Sequence, residues 1–180
     1  MSDVEIQNVV ATGSMGQEID LLAIVKTFVN VKYRPKKFPG LVFPLKLPKT
    51  TTLIFTTGKM VCTGAKSEKM ARSAVRKVVR ELKEAGFIIP REPKIEVQNI
   101  VGTADIGGGV NLEKAAEVLG NIMYEPEQFP GAVYRMAEPK VVILVFSSGK
   151  LVITGAKREE QVHEAAEKIR AILMENGLLY

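Results

Sequence analysis

The chain has 180 residues, 46% of them hydrophobic, with a net charge of +5, no Trp and one cysteine. That length bounds it to one good-sized domain or two small ones, and the lone Cys62 excludes an internal disulfide and fits a reducing interior. No N-terminal apolar run or stretch of about 20 apolar residues occurs, so the expectation is a soluble cytoplasmic protein with no membrane association.

In chain order, Val4 to Thr12 alternates and is rich in β-branched residues, which predicts a strand. A loop follows from Ser14 to Glu18. Asp20 is placed to cap a helix over Leu21 to Phe28. Val31 to Tyr33 reads as a short strand. Pro35 and Pro39 then bar a central strand from Arg34 to Gly40. Leu41 to Lys46 and Thr51 to Thr56 read as strands separated by Pro48. Lys59 to Ala65 reads as another, after a tight turn at Thr57-Gly58. Ser67 can cap a helix running to about Ala85, with an apolar stripe of Met70, Ala71, Ala74, Val75, Val78, Val79 and Leu82. Gly86 stands where a C-terminal cap belongs. Glu92-Pro93-Lys94 reads as a linker.

The same order then repeats. Leu53 to Lys66 reads LIFTTGKMVCTGAK, and 91 residues later Leu144 to Lys157 reads LVFSSGKLVITGAK. Val4 to Val10 matches Ile95 to Val101. Tyr33, Pro35, Phe38, Pro39 and Gly40 match Tyr124, Pro126, Phe129, Pro130 and Gly131. Gly86 matches Gly177. No gap is needed, and about a third of the paired positions are identical. A period this long is a duplicated half-domain rather than a solenoid repeat, which runs about 20–50 residues. We therefore divide the chain into repeats at 1–90 and 91–180. Asn111 caps the second repeat's first helix. Val162, Ala165, Ala166, Ile169, Ile172 and Leu173 form the stripe of its last. The order strand, helix, four strands, helix, twice over, predicts an α+β fold with an antiparallel sheet.

A sheet covered by helices on one face should turn polar on the other. Here Leu53 and Phe55 oppose Ile54, Val61 and Thr63 oppose Met60 and Cys62, and Asn8, Val10 and Thr12 oppose Val9. Leu144, Phe146, Val152, Thr154, Asn99, Val101 and Thr103 repeat the pattern. Both faces are apolar or small, yet each half has helices for only one. The uncovered face is then a broad apolar patch of the kind that marks a binding surface; a sandwich or a dimer would also bury it.

Charge is unevenly shared. Residues 1–90 carry 15 Lys and Arg against 7 Asp and Glu, and residues 91–180 carry 10 against 13. A basic half invites a polyanion, although solvated basic helix faces give the same composition. Arg72, Arg76, Lys77, Arg80 and Lys83 would form one such face.

The paired Gln-Asn-(Val/Ile)-Val, Phe-Pro-Gly, Phe-x-x-Gly-Lys and Thr-Gly-Ala-Lys elements resemble the core of the TATA-box-binding protein family in its archaeal form. Each motif is short, but their order and spacing, present twice, are specific, and the resemblance covers essentially the whole chain. It implies a saddle of two pseudo-twofold repeats: a ten-stranded curved antiparallel sheet with four helices on the convex face, and an underside that lies along the DNA minor groove and bends it. The implied function is a general initiation factor that binds the TATA box of double-stranded DNA and recruits transcription factor B, and through it RNA polymerase, in an archaeal cell at the nucleoid.

By the same resemblance, Phe38 with Phe55 and Phe129 with Phe146 are wedge pairs that enter base steps. The alternative for Phe55 and Phe146 is sheet core. Asn8 and Asn99, flanked by Thr63 and Thr154, meet minor-groove acceptors. Val10, Val61, Val101, Val152, Leu53 and Leu144 floor the site; they would press on the guanine amino group that only G·C pairs present there. Lys59, Lys66, Lys150, Lys157 and Arg135 match phosphate contacts, which fix register rather than sequence. Pro44, at the position paired with Arg135, departs from the pattern. Glu125 and Glu127 are the candidates for contact with transcription factor B. The corresponding first loop, Lys32 to Lys37, is basic, and its role stays open. So does a homodimer through the apolar face when no DNA is bound.

No cofactor or metal is expected. His163 is alone on an exposed helix face, and no Cys-x-x-Cys, His-Glu-x-x-His or phosphate-loop spacing occurs. Gly107-Gly108-Gly109 reads as a flexible turn. An enzyme is therefore not expected. The rival reading is an accessory or protein-interaction domain of the same fold with non-specific nucleic-acid binding. Such domains usually occur once per chain and need not keep both wedge pairs.

Overall fold

The computed structural model describes residues 4–180, so the first three residues of the expected first repeat lie outside the described residues. The elements are β1 Glu5–Ser14, α1 Leu21–Thr27, β2 Leu41–Lys46, β3 Lys49–Ile54, β4 Lys59–Ala65 and α2 Glu68–Glu84, then β5 Lys94–Asp105, α3 Leu112–Val118, β6 Ile122–Met123, β7 Ala132–Met136, β8 Val141–Val145, β9 Lys150–Ala156 and α4 Glu159–Glu175. Among the described residues the strand pairs β2–β3, β3–β4 and β1–β4, and β6–β7, β7–β8, β8–β9 and β5–β9, are antiparallel. The α+β class holds, with four helices and nine strands among the described residues.

The tenth expected strand does not form. Val31 to Tyr33 contributes only a single bridge, Lys32 to Val42, whereas its counterpart in the second repeat pairs twice, Ile122 with Tyr134 and Met123 with Val133. The strand expected over Thr51 to Thr56 lies two residues earlier. Lys46 pairs with Lys49, so the β2–β3 hairpin turns on Leu47-Pro48 alone. Phe55 to Gly58 instead makes the next turn, with the Gly58 N–H donating to Phe55 O at 2.8 Å. The linker expected at Glu92 to Lys94 is shorter, because Lys94 already opens β5.

The chain forms two compact units, Asn8–Gln98 and Asn99–Tyr180 with the residues up to Gln7. In the Asn8–Gln98 unit the strand order is β2-β3-β4-β1. Both helices start where the sequence supplies a cap. The Asp20 carboxylate accepts from the N–H groups of Leu22 and Ala23, and the Ser67 hydroxyl accepts from Met70 N. These caps satisfy donors that the first helical turn cannot. Gly86, at φ 103°, closes α2 with Phe87 N–H donating to Leu82 O at 3.0 Å. One core joins Leu21 and Ile24 of α1, Val75, Val78, Val79 and Leu82 of α2, and Leu41, Phe43, Ile54, Met60 and Cys62 of the sheet. Both helices therefore cover the same sheet face.

The other unit runs β5-β9-β8-β7-β6. Asn111 caps α3 through Lys114 N. Leu112, Ala115, Val162, Ala165, Ala166, Ile169 and Leu173 are buried, as are Ile143, Leu151 and Ile153 of the sheet. The Gly107–Gly109 run is tied down rather than loose. Gly109 exchanges backbone hydrogen bonds with Tyr180 at 3.1 and 3.0 Å, and a Cβ at Gly109 would lie 2.6 Å from the Tyr180 ring.

Candidate nucleic-acid interface

Alternation along each strand divides the side chains of both units into two sets. Val9, Ala11, Ile54, Met60 and Cys62 are buried, the last three in the core shared with the helices, whereas Asn8, Val10, Thr12, Leu53, Val61 and Thr63 are only half-buried. The same division separates Ile100, Ile143, Leu151 and Ile153 from Asn99, Val101, Thr103, Leu144, Val152 and Thr154. Strand register then sets the second group side by side. Val42, Leu53, Val61 and Thr12 stand abreast across β2, β3, β4 and β1. Val133, Leu144, Val152 and Thr103 form the matching row across β7, β8, β9 and β5. Each unit thus presents an apolar, β-branched face that no helix of that unit covers.

An asparagine amide enters this face at one place per unit. The ladder between β1 and β4 shifts register between Val9 and Ala11, and Gly64 sits in the bulge at φ 97°. Glycine adopts that conformation without the strain a Cβ would bring. The bulge frees the Gly64 N–H, which donates to Asn8 Oδ1 at 2.7 Å. That bond fixes the amide: Asn8 Nδ2 faces Thr63 and donates to its Oγ1 at 3.2 Å. The second unit reproduces the arrangement. Gly155, at φ 96°, donates to Asn99 Oδ1 at 2.7 Å, and Asn99 Nδ2 donates to Thr154 Oγ1 at 3.3 Å. Each amide keeps a second N–H with which to meet an acceptor above the face.

The rings pair within each unit. Phe38 and Phe55 meet edge-to-face with centroids 5.9 Å apart, and Phe129 and Phe146 do the same at 5.8 Å. Phe38 and Phe129 are 43% and 40% exposed, which is high for large apolar side chains. Phe55 and Phe146 are half-buried and so are not core residues. Glycine makes room for both pairs. A Cβ at Gly40 would lie 2.6 Å from Phe38 and 3.1 Å from Phe55, and one at Gly131 would lie 2.9 and 3.0 Å from Phe129 and Phe146. In the sequence these glycines and the Thr-Gly-Ala-Lys glycines stand out only as repeat markers, and their identity at matching places is the available signal. Two further polar contacts have no signal in the sequence beyond the repeat itself: Gln98 Nε2 donates to Thr12 Oγ1 and Gln7 Nε2 donates to Thr103 Oγ1, both at 3.0 Å.

Lys59, Lys66, Lys150, Lys157 and Arg135 are exposed. Arg135 stands in the row with Val142 and Thr154, and Pro44 occupies the equivalent place beside Thr51 and Thr63. Glu125 and Glu127 are exposed in the turn before Phe129, where Phe129 N–H donates to Glu125 O at 3.0 Å. The basic face expected on α2 is smaller than its charge count. Arg72 Nη1 donates to Ile95 O at 3.1 Å, and Lys77 Nζ donates to Leu47 O. Both long side chains are held by carbonyls distant in sequence.

Cys62 lies under the helices, and burial pushes its thiol pKa up against a partial opposing effect of the Thr52 and Thr50 hydroxyls. Among the described residues no group of three or more His, Cys, Asp or Glu could hold a metal ion. Nor is any helix there long and apolar enough to cross a membrane.

The chain resembles known proteins over nearly its whole length. The family described as transcription factor TFIID, or TATA-binding protein, matches residues 3–85 and 94–176. The TATA-box-binding protein of Sulfurisphaera tokodaii is 54% identical over 172 residues, covering 96% of this chain and 87% of its own. That of Archaeoglobus fulgidus is 49% identical over 178 residues, covering 98% and 97%. The solved structure of the Methanococcus jannaschii protein matches with a TM-score of 0.87 at 47% identity, covering 96% of this chain and 99% of that one.

Proposed function

Because the chain belongs to the TATA-box-binding protein family, we propose that it is a general transcription initiation factor that binds the TATA box in the minor groove, bends it, and recruits transcription factor B and thereby RNA polymerase. The family is one of DNA-binding transcription factors, not enzymes. The observation that carries this reading is the duplicated open face with one Phe pair and one Asn–Thr pair in each unit.

The chemistry suits an A·T-rich minor groove. Such a groove presents only acceptors, whereas G·C adds the guanine amino donor. The amides of Asn8 and Asn99, each with its oxygen already held by a backbone N–H, turn donors to those acceptors. The aliphatic side chains of Val42, Leu53 and Val61, and of Val133, Leu144 and Val152, offer a guanine amino group no partner, and leaving a buried donor unpaired costs about 1–3 kcal/mol. Phe38 with Phe55, and Phe129 with Phe146, are flat and apolar, and Phe loses little side-chain freedom on insertion. Unstacking a base step costs about a few kcal/mol, offset by the contact that bent DNA allows, and pyrimidine–purine steps such as TA yield most easily; this family is known for such wedges. Lys59, Lys66, Lys150, Lys157 and Arg135 add phosphate contacts. Glu125 and Glu127 offer carboxylates to a basic surface of transcription factor B.

The test is bending, read by energy transfer between end labels, on a TATA duplex and on a G·C-rich control of equal length. Tight binding with a bend on the first alone is expected. Equal affinity for both, without a bend, would favour the accessory-domain reading instead.

A further inference from the structure

The turn before each exposed ring has one backbone and two opposite charges. In the first repeat, Lys37 and Phe38 N–H donate to Arg34 O at 2.9 and 3.0 Å; in the second, Gln128 and Phe129 N–H donate to Glu125 O at 2.9 and 3.0 Å. On the first of these turns Lys32, Arg34 and Lys37 line a cleft of about 220 Å³ together with Phe38, Gly40 and Val42. The residues at the matching positions of the second repeat are Met123, Glu125 and Gln128. Three cations therefore stand where the other repeat has one anion and no cation.

The cleft is held open from behind. Lys32 exchanges backbone hydrogen bonds with Val42 at 3.0 and 2.8 Å, and Arg34 is fixed by the turn it closes. None of the three cations has an ion-pair partner among the described residues. Convergent, unpaired Lys and Arg side chains call for an anion, and Arg is suited to grip a phosphate with two N–H groups at once. Phe38, the exposed ring of the pair, forms one wall of the same cleft.

We infer that this cleft binds backbone phosphates of the duplex just beyond the base step that the Phe38–Phe55 pair enters, and that only the first repeat holds DNA in this way. The inference rests on the reading of the open face as a minor-groove surface. If Phe38 sits in a step, an anion in the cleft beside it is a phosphate of the flank rather than of the box. Two consequences follow. The flank contributes to affinity and salt dependence without contributing sequence preference, and the two ends of a near-symmetric box become unequal to the protein.

The experiment compares the native chain with the triple variant K32Q/R34Q/K37Q and with K32M/R34E/K37Q, whose residues the second repeat already carries on the same backbone turn. Affinity is measured against salt on a TATA duplex with native flanks and on one whose flank phosphates, at both ends, are replaced by neutral methylphosphonates. For the native chain, neutral flanks should weaken binding and flatten the slope of log K against log salt by about 2–3, one phosphate per cation. Both variants should show the flatter slope on native flanks and no further response to neutral ones. Neutralising one flank alone should leave affinity nearly unchanged but turn the native chain so that its first repeat faces the charged end.

The inference is overturned if the native chain is indifferent to neutral flanks, or if the variants keep the native slope. The latter result would reassign the cleft to an acidic protein partner. The native chain's bend on the box is the control. Loss of that bend defeats the minor-groove reading itself, whereas a normal bend with an indifferent flank defeats only the cleft.

Discussion

Asn8 Oδ1 accepts the backbone N–H of Gly64 at 2.7 Å. That bond commits the oxygen inward and the amide nitrogen outward, so Asn8→Asp keeps the structural acceptor and removes the donor. A carboxylate would also face groove acceptors. Affinity for a TATA duplex should fall by about 1–3 kcal/mol, roughly 5- to 150-fold, with little change in thermal midpoint. Fluorescence anisotropy and a thermal melt check both halves of this. Gly64→Ala should behave oppositely. The nearest atoms to a new Cβ are 3.6 Å away, so space is not the obstacle, but the residue would be held at φ 97°. A stability loss of about 1–3 kcal/mol is expected from that conformation alone.

Gly40→Ala should move a wedge without touching one. The added methyl would lie 2.6 Å from Phe38 Cε2, and that ring, 43% exposed, has room to swing away. The bend angle by energy transfer should drop while stability stays nearly native. At Gly131 the first contact is 2.9 Å, so the loss should be smaller. A bend unchanged in both variants would separate ring position from bending.

Cys62 supplies a pH dependence. Its folded pKa is raised, chiefly by burial, so the native state holds this proton more tightly than the unfolded chain does. The stability this confers is complete below the ordinary thiol value of about 8.5 and is lost as pH rises through the folded value. The stability difference between native protein and Cys62→Ala should therefore shrink above about pH 8.5, by at most about 1.4 kcal/mol per pH unit. Urea melts of the pair across that range check it, and parallel profiles would contradict it.

Charge reversal of Glu125 and Glu127 to Lys should leave the affinity for a TATA duplex near native but reduce recruitment of transcription factor B at least several-fold in a gel-shift assay. Both carboxylates are exposed in their turn, so neither substitution disturbs packing. Unchanged recruitment would remove these residues from that surface.

Much of this was legible in the chain because it depends on neighbours in sequence. Caps at Asp20, Ser67 and Asn111, the glycine stop at Gly86 and the division of β4 into Met60 and Cys62 against Val61 and Thr63 are all local patterns. What was not legible depends on partners far along the chain. Val31 to Tyr33 has the composition of a strand, but only Lys32 finds a pairing partner. Gly64 reads as an ordinary glycine until the register shift beside Val9 is known. Gly40 matters only because two rings, one of them 15 residues away at Phe55, converge on it. Arg72 and Lys77 look like free charge on a helix, yet their reach lets them cap carbonyls at Ile95 and Leu47.

The strand Lys94–Asp105 is divided between the compact units after Gln98. Its opening residues serve the unit before them. Ile95 O receives Arg72, Glu96 O receives the Thr12 hydroxyl, and Gln98 donates to Thr12. Severing the polypeptide at the repeat boundary near residue 90 would strip an isolated first half of all three, leaving the Arg72 guanidinium to find water and Thr12 alone. A self-sufficient half would have to carry its neighbour's first few residues with it, so ancestral duplication and present-day foldable piece need not share the same endpoints.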